Sequence, residues 1–263
     1  MGKDRADRIL VTRGLAASRQ KAQALIMAGL VFAGERRIDK AGMLVDEESD
    51  IFLKEKLPYV SRGGLKLEEA LDRFEISVEG KTTADLGSST GGFTDCLLQR
   101  GARRVYAVDV DIRQLDWKLR QDSRVICLEK NARYLDKEDF SHTLDLVTMD
   151  LSFISIIKVL PAIKRFLGNG FLLSLVKPQF EAGPRQVGKK GIVRDAGLHE
   201  EVLVKVIAAA QAMGFALRKL MKCSLPGARG NREFFALWSL GERSLTSGEE
   251  MRLVKEAVRD GKN

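Results

Sequence analysis

The stretch that most constrains the fold of this chain runs Asp85-Leu-Gly-Ser-Ser-Thr-Gly-Gly-Phe-Thr-Asp95. Ala84 and Leu86 flank the first aspartate as they would at the end of a buried strand, and an apolar helical pattern begins at Phe93. Glycines permit a sharp turn between strand and helix and let a ligand approach bare backbone. The stretch therefore predicts a ligand-binding strand–turn–helix unit, and an ordinary connection without a ligand is the alternative.

A second apolar segment, Val105-Tyr-Ala-Val-Asp109-Val-Asp111, ends in acid 24 residues after Asp85. A carboxylate placed there can accept hydrogen bonds from both hydroxyls of a ribose, which indicates a nucleoside cofactor. The loop is not G-x-G-x-x-G and no P-loop lysine follows it, which favours S-adenosyl-L-methionine over NAD or ATP. The predicted cofactor-binding residues are Asp85, Gly87, Ser88, Ser89, Gly91, Gly92, Phe93, Asp109, Asn131 and Asp150.

From residue 82 onward, strand and helix patterns alternate. We expect strands near 83–87, 104–109, 124–128, 144–150 and 170–176. We expect helices near 92–100, 113–120, 155–166 and 197–213. Such alternation predicts a mainly parallel sheet with helices on both faces, an α/β doubly wound, Rossmann-like domain. A final antiparallel pair at 215–222 and 233–240 is the usual finish of the methyltransferase form of this fold.

The N-terminal region reads as a small α+β domain with a basic surface. Residues 4–14 and 18–28 predict two short amphipathic helices, and strands follow at 30–32 and 51–53. Residues 1–40 carry nine Lys or Arg against four Asp or Glu, and the whole chain has a net charge of +8, so a polyanionic partner is expected. The predicted RNA-binding residues are Arg5, Arg8, Arg19, Lys21, Arg36 and Arg37. A solvated helical hairpin is the alternative.

Three patterns in this region resemble the RNA-binding module of small-subunit ribosomal protein four. They are Arg5-x-Asp7-x-x-Leu10, Ser18-Arg19-x-x-Ala22 and Ile26-x-x-Gly29-x-Val31. The resemblance implies that the helix pair presents its basic face to structured RNA, through shape and phosphate contacts. We therefore expect an RNA-binding domain at 1–57, a linker at 58–62, a catalytic domain at 63–245 and a charged helical tail at 246–263.

Four charged side chains stand where the ligand edge of the sheet is expected. Asp150 and Lys177 follow apolar strands, Glu233 begins the last strand, and Lys66 follows a glycine pair. A lysine there is costly to bury unless it is paired or functional. The set suits removal of a proton from a ribose hydroxyl: Lys177 beside Lys66 would be the base, since a neighbouring cation and burial favour a neutral lysine. Taken singly, each charge could belong to an ordinary salt bridge.

Five stretches, spread over almost the whole chain, together resemble the TlyA family. They are Tyr59-Val-Ser-Arg-Gly-Gly-Leu-Lys-Leu67, Asp85 to Asp95, Asp150-Leu-Ser-Phe-Ile-Ser155, Val176-Lys-Pro-Gln-Phe-Glu-Ala-Gly183 and Gly230-Asn-Arg-Glu-Phe234. This family is known both as haemolysins and as ribosomal RNA 2′-O-methyltransferases. Similarity to the wider FtsJ-like methyltransferases implies that Lys66, Asp150, Lys177 and Glu233 are the catalytic set, with ribosomal RNA or ribosomal subunits as partner. The segment 181–194 departs slightly, at Pro184 and Lys189-Lys190.

Two other functions remain open beside the enzyme: a haemolysin or other membrane-active protein, and a non-catalytic RNA-binding or ribosome-assembly protein. The start of the chain has no signal-peptide pattern, and no apolar run reaches the length of a membrane span. Intact acids on both cofactor strands argue against a vestigial pocket. Three well-separated cysteines and two histidines show no metal-ligand spacing. We expect a cytoplasmic enzyme without metal or membrane partner; a monomer is compatible with the sequence, which leaves the oligomeric state open.

Overall fold

The computed structural model describes residues 2–27, 29–34, 36–53, 58–183, 186–188, 191–241 and 245–259. The chain divides into two compact units, Met1–Leu57 and Pro58–Asn263. The departures from the family pattern at Pro184, Lys189 and Lys190 lie outside the described residues.

The N-terminal unit is a small α+β structure. Its elements are β1 (Lys3–Arg5), α1 (Ala6–Thr12), α2 (Arg19–Met27), β2 (Val31–Ala33), β3 (Arg36–Arg37), β4 (Leu44–Asp46) and β5 (Ile51–Leu53). β1 pairs antiparallel with β4, and β3, β2 and β5 form a second antiparallel sheet. The prediction of a helix from residue 4 was wrong, because pairing with β4 keeps Lys3–Arg5 extended and α1 begins only at Ala6. Apolar faces of both helices pack on the sheets around Leu10, Ile26 and Val31.

A buried carboxylate ties the two helices of this unit together. Asp7 is fully buried and accepts hydrogen bonds from Arg5 Nε and Nη2 and from Arg19 Nη2, each at 3.0 Å, and from Gln23 Nε2 at 3.3 Å. The hydrogen bond from Arg5 is the main reason that the pKa of Asp7 lies well below its usual range, although burial acts the other way. The two arginines are anchored at Asp7 while their side chains stay 43% and 56% exposed.

Replacing Asp7 with asparagine should destabilise the N-terminal unit by about 1–3 kcal/mol, because it leaves two guanidinium groups without their buried anion. Because the pKa of Asp7 is lower in the folded protein than in the unfolded chain, its charge adds to the free energy of unfolding above about pH 4. This stabilisation is lost as the pH falls further. Hydrogen exchange of the α1 amides should report both effects. The matched control is Asp39→Asn, which opens the exposed Arg37–Asp39 pair and should cost under about 0.5 kcal/mol; equal costs would contradict the account.

The second unit is built on one seven-stranded sheet. Its helices are α3 (Arg62–Arg73), α4 (Gly92–Gln99), α5 (Trp117–Gln121), α6 (Leu160–Phe166), α7 (Pro178–Glu181), α8 (Ala196–Ala212) and α9 (Ser247–Arg259). Its strands are β6 (Thr82–Leu86), β7 (Arg104–Asp109), β8 (Val125–Glu129), β9 (Leu146–Met149), β10 (Phe171–Val176), β11 (Phe215–Lys222) and β12 (Phe234–Leu240). The strand order is β11-β12-β10-β9-β6-β7-β8, with only β12 antiparallel to its neighbours β10 and β11.

This topology confirms the predicted fold class, a doubly wound α/β methyltransferase fold. Central strands β6 and β9 are buried along their whole length, and a separate apolar cluster covers each face of the sheet. One cluster contains side chains of α3, α4 and α5, and the other contains side chains of α6, α8 and α9. The strand order reverses between β6 and β9, and in such sheets ligands bind at the carboxyl ends of the strands at this reversal.

Several predicted helix boundaries differ from those observed. The helix expected at 113–120 is split, because the Asp116 side chain caps α5 by accepting the Lys118 amide at 2.9 Å. The short helix α7 was not predicted; Pro178 occupies its first turn, where no amide donor is needed. Helix α9 packs on β11 and α8 and buries Val254, Ala257 and Val258. Helix α9, the described part of the C-terminal tail, thus contributes to the second unit's core.

Candidate active site

Two cavities are lined by residues that follow β6 and β9. The first measures about 430 Å³; residues on its wall include Ser61, Lys66, Ser88, Phe93, Asp150 and Arg229. The second measures about 500 Å³; residues on its wall include Val108, Asp109, Lys130, Asn131, Ser152 and Phe153. Gly87, Ser89 and Asp150 line both cavities, so these three residues form the boundary between them.

The turn after β6 lies pressed against the chain that follows β9. Gly87 has a φ of +84°, and a Cβ there would lie 2.6 Å from the backbone oxygen of Asp150. Only glycine combines this left-handed conformation with so close an approach. Asp150 in turn donates its amide to Leu86 O at 3.0 Å. The glycine predicted to bring bare backbone to a ligand thus also holds Asp150 at the boundary of the two cavities.

Asp85 supports the turn from below. It is fully buried and accepts hydrogen bonds from Thr94 Oγ1 at 2.7 Å and Thr148 Oγ1 at 3.3 Å. Burial raises the pKa of Asp85 to about 7, although the hydrogen bond from Thr94 opposes the shift. Neither Asp85 nor Gly91, which caps α4 at φ +97°, is among the described residues lining the two cavities. Direct cofactor contact by these two stays a prediction.

The second cavity combines apolar walls with a carboxylate and an amide. Asp109, at the end of β7, accepts the Ser89 amide at 2.9 Å on Oδ2 and the Asp111 amide at 3.0 Å on Oδ1. Asn131 uses its Oδ1 to accept the Arg133 amide at 3.0 Å, which leaves its NH₂ group as the donor for other partners. Each Asp109 oxygen keeps a further lone pair, so the carboxylate can still accept from a diol. The chemistry of this cavity fits a nucleoside.

The predicted catalytic side chains form two ion pairs. Lys66 Nζ lies 2.6 Å from Glu233 Oε2, and Lys177 Nζ lies 2.6 Å from Asp150 Oδ1. Lys66, Lys177 and Glu233 are at most 9% exposed, and burial of such charges is tolerated because each has its counter-ion. Lys66 and Asp150 line the first cavity, and their partners are held against them by these pairs. The structure thus joins the four predicted residues in two lysine–carboxylate pairs, each with one member on the wall of the first cavity.

The loop before β12 brings Glu233 to this site. A Cβ on Gly227 would collide with the Glu233 carboxylate, so a side chain at this position would displace that carboxylate from its place beside Lys66. Arg229, on the same loop, has a φ of +58° and lines the first cavity. Backbone strain of this kind in a non-glycine residue is typical of functional sites.

Sequence reasoning missed several residues of the site. Ser152 accepts a hydrogen bond from Lys177 Nζ at 3.0 Å. Phe153 is 90% exposed at a φ of +64°, with its ring 5.2 Å from that of Phe180. Lys130 and Arg229 line the cavities. The sequence did offer a hint for Ser152 and Phe153, because both follow Asp150 within a stretch that resembles the family. A single serine or phenylalanine is too common in sequences to be recognised as a site residue by itself.

The predicted RNA-binding residues all lie at the surface of the N-terminal unit. Arg5 and Arg19 meet around Asp7, whereas Arg8 pairs with Asp4 at 3.3 Å and Arg37 pairs with Asp39 at 2.6 Å. Lys21 on α2 and Arg36 on β3 are exposed. A role for these six residues in RNA binding stays a prediction.

The fold, the boundary formed by Gly87 and Asp150, and the paired lysines define a class: methyltransferases of the doubly wound type. Residues 59–239 match the model of the FtsJ-like methyltransferase family, and residues 4–52 match the S4 domain. The Mycobacterium tuberculosis 16S/23S rRNA (cytidine-2′-O)-methyltransferase TlyA is 42% identical over 263 residues, covering 98% of each chain. YqxC of Bacillus subtilis, provisionally named an rRNA methyltransferase, is 48% identical over 264 residues, covering 97% of this chain and 94% of that protein.

A solved structure of a provisionally named hemolysin from Streptococcus thermophilus is 44% identical, with a TM-score of 0.74 over 98% of this chain and 96% of that one. The chain therefore belongs to the TlyA group of the FtsJ-like methyltransferase family and carries an S4 domain. The predicted family is confirmed. Among the described residues, no helix has the length and apolar character to cross a bilayer, and no cluster of three or more His, Cys, Asp or Glu could hold a metal.

Proposed function

We propose that this protein transfers a methyl group from S-adenosyl-L-methionine to a ribose 2′-hydroxyl of ribosomal RNA, with Lys177 as general base. The observation that carries the proposal is the pair of lysine–carboxylate contacts, each 2.6 Å long, one of which includes Asp150, a residue that lines both cavities. Relatives named as rRNA (cytidine-2′-O)-methyltransferases support the same reaction.

The second cavity is the proposed cofactor site. Asp109 would hold the ribose hydroxyls, Asn131 would face the adenine with its NH₂ group, and the Gly87–Ser89 backbone would lie along the methionine part. The fit rests on the bare backbone at Gly87 and on the buried Ser88 Oγ, which has no hydrogen-bond partner among the described residues and lines the adjoining cavity. When bound, S-adenosylmethionine supplies an electrophilic methyl group on a sulfonium.

The first cavity is the proposed acceptor site. A ribose hydroxyl is a weak acid, so its oxygen becomes a good nucleophile only as a base removes the proton. Lys177 accepts that proton on Nζ, and Asp150 fixes the position of Nζ and balances the charge that forms. Lys66, held by Glu233, places an ammonium group where it stabilises the negative charge developing on the oxygen.

The N-terminal unit is the proposed RNA-holding part. We propose an RNA-binding domain at 1–57, a linker at 58–62, a catalytic domain at 63–245 and a tail at 246–263 whose helix completes the catalytic unit's core. The exposed cations of the N-terminal unit would contact phosphates. In the catalytic domain, the exposed ring of Phe153 is suited to stacking on an unpaired base. A protein that acts on ribosomal subunits or their RNA would be in the cytoplasm, which is the location we propose.

Asp109→Ala should weaken S-adenosylmethionine binding by about 1.5–3 kcal/mol, the loss of charge-assisted hydrogen bonds to the ribose. Isothermal titration calorimetry on the metal-free protein measures this directly. The matched control is Glu129→Ala: Glu129 is the register partner of Asp109 on β8 and is not among the described residues lining the second cavity. Equal losses for both variants, or binding of NAD in place of S-adenosylmethionine, would overturn the cofactor assignment.

A further inference from the structure

Ser152 contacts the proposed base and has no part in the family's four-residue catalytic set. It lies two residues after Asp150, and its Oγ accepts a hydrogen bond from Lys177 Nζ at 3.0 Å. Lys177 Nζ therefore has two oxygen neighbours, Ser152 Oγ and, at 2.6 Å, Asp150 Oδ1. Both oxygens belong to the segment that directly follows β9.

A lysine that acts as a base must be neutral when it receives the proton. The neutral amine nitrogen is tetrahedral and carries one carbon, two hydrogens and one lone pair. One N–H donates to Ser152 Oγ, and Asp150 Oδ1 lies 2.6 Å from Nζ as its ion-pair partner, so the two oxygens together limit the directions left for the lone pair. With Asp150 alone, rotation about the Cε–Nζ bond would leave the lone pair free to point in several directions.

The segment that carries Ser152 is held at both ends. At its start, the Asp150 amide donates to Leu86 O at 3.0 Å, and the Asp150 carbonyl lies against Gly87. At its end, the buried Glu181 carboxylate accepts the Ile156 amide at 2.7 Å and the Ser155 hydroxyl at 2.5 Å. Between these points Phe153 takes a left-handed φ of +64°. Such fixed anchors allow a hydroxyl on a loop to define a direction.

We propose that Ser152 is a positioning residue that aims the lone pair of Lys177 at the ribose 2′-hydroxyl; this rests on the proposed function. In the step it serves, the O–H bond breaks as the proton passes to Lys177 Nζ. The freed electron pair on O2′ forms the bond to the methyl carbon, and the pair of the broken C–S bond stays on sulfur. Ser152 exchanges no proton with the substrate, and its effect passes entirely through Lys177.

The test compares Ser152→Ala with Ser152→Thr, which keeps the hydroxyl, using the full-length protein and ribosomal subunits. Ser152→Ala should lower kcat about tenfold, with little change in KM for RNA or in the Kd of S-adenosylmethionine. Ser152→Thr should restore most of kcat.

Two further variants test whether the effect of Ser152 on kcat depends on Lys177. In the Lys177→Ala background, Ser152→Ala should cause no additional loss, since its effect needs the amine. Ser141→Ala, an exposed serine in the loop before β9, is the matched control and should leave kcat unchanged. An unchanged kcat in Ser152→Ala, a threonine variant as slow as the alanine variant, or a full additional loss in the Lys177→Ala background would overturn the proposal.

Failure of this inference is distinguishable from failure of the proposed function. Mapping the methylated atom in the product of the unchanged protein tests the function without Ser152. If the methyl group is found on a base, the proposed function fails and the role of Ser152 fails with it. If it is found on a 2′-oxygen while Ser152→Ala behaves like the unchanged protein, only the positioning role is wrong.

Discussion

Replacing Lys177 with alanine should lower methyl transfer about a hundredfold to ten-thousandfold, the usual contribution of a general base. Affinity for S-adenosylmethionine should barely change, because Lys177 contacts Asp150 and Ser152 and is not among the described residues lining the second cavity. Single-turnover transfer to ribosomal subunits measures the loss, and calorimetry measures the cofactor affinity. A rate loss accompanied by an equal loss of affinity would point to a structural role.

The variant Lys177→Arg distinguishes a role of Lys177 as general base from a role as a positive charge. A guanidinium stays protonated and cannot accept the proton, so this variant should be about as slow as the alanine variant. Lys164→Ala removes an exposed lysine on α6 and serves as the control that should retain full activity. Near-normal turnover of the arginine variant would show that Lys177 acts through its charge alone, and the proposed mechanism would be wrong.

Removing residues 1–57 should reduce affinity for ribosomal subunits a hundredfold or more while leaving S-adenosylmethionine binding intact. The reason is that the basic cluster lies in the N-terminal unit, whereas both cavities are lined by residues of the unit Pro58–Asn263. Weak RNA binding should survive through the basic stretch of the second unit, which contains Arg218, Lys219, Lys222, Arg229 and Arg232. Intact cofactor binding by the truncated protein shows that its fold is preserved.

A milder variant checks the same idea without deletion. Lys21→Ala with Arg36→Ala removes two exposed cations that lie away from the Asp7 network, so the fold of the N-terminal unit should be kept. Each lost phosphate contact should reduce the slope of log affinity against log salt by about 0.7 to 0.9. Equal slopes and equal affinities for the full chain and the truncated chain would show that the N-terminal unit does not hold the RNA.

The predictable parts of this structure are those that local patterns in the amino-acid sequence indicate. Buried strands ending in Asp85, Asp109 and Asp150 gave the parallel sheet and its ligand edge, because apolar runs and the acids after them are local signals. Asp85 shows the limit of such prediction. It lies near the end of β6, as expected, but its side chain is fully buried and stabilises the turn instead of lining either cavity. Whether an acid faces a cavity or the core depends on its register and on partners such as Thr94 and Thr148.

The parts that could not be predicted depend on contacts between distant segments. The pairing of Lys66 with Glu233 joins residues 167 positions apart, and no local pattern indicates which lysine takes which carboxylate. The strand at Lys3–Arg5 exists only because β4 lies beside it. Ser152 matters through its distance to Lys177. In each case the feature depends on tertiary contacts, which the local propensities of the sequence do not indicate.

The most direct test of the central claim is to map the methyl group itself. The full-length protein, methyl-labelled S-adenosylmethionine and unmethylated ribosomal subunits are incubated together, and the RNA is digested and analysed by mass spectrometry, with Lys177→Ala as the parallel reaction. The account predicts label on a ribose 2′-oxygen at defined nucleotides, and almost none with the Lys177→Ala protein. Label on a base, or no transfer from S-adenosylmethionine under conditions where the protein binds both cofactor and subunits, would contradict it.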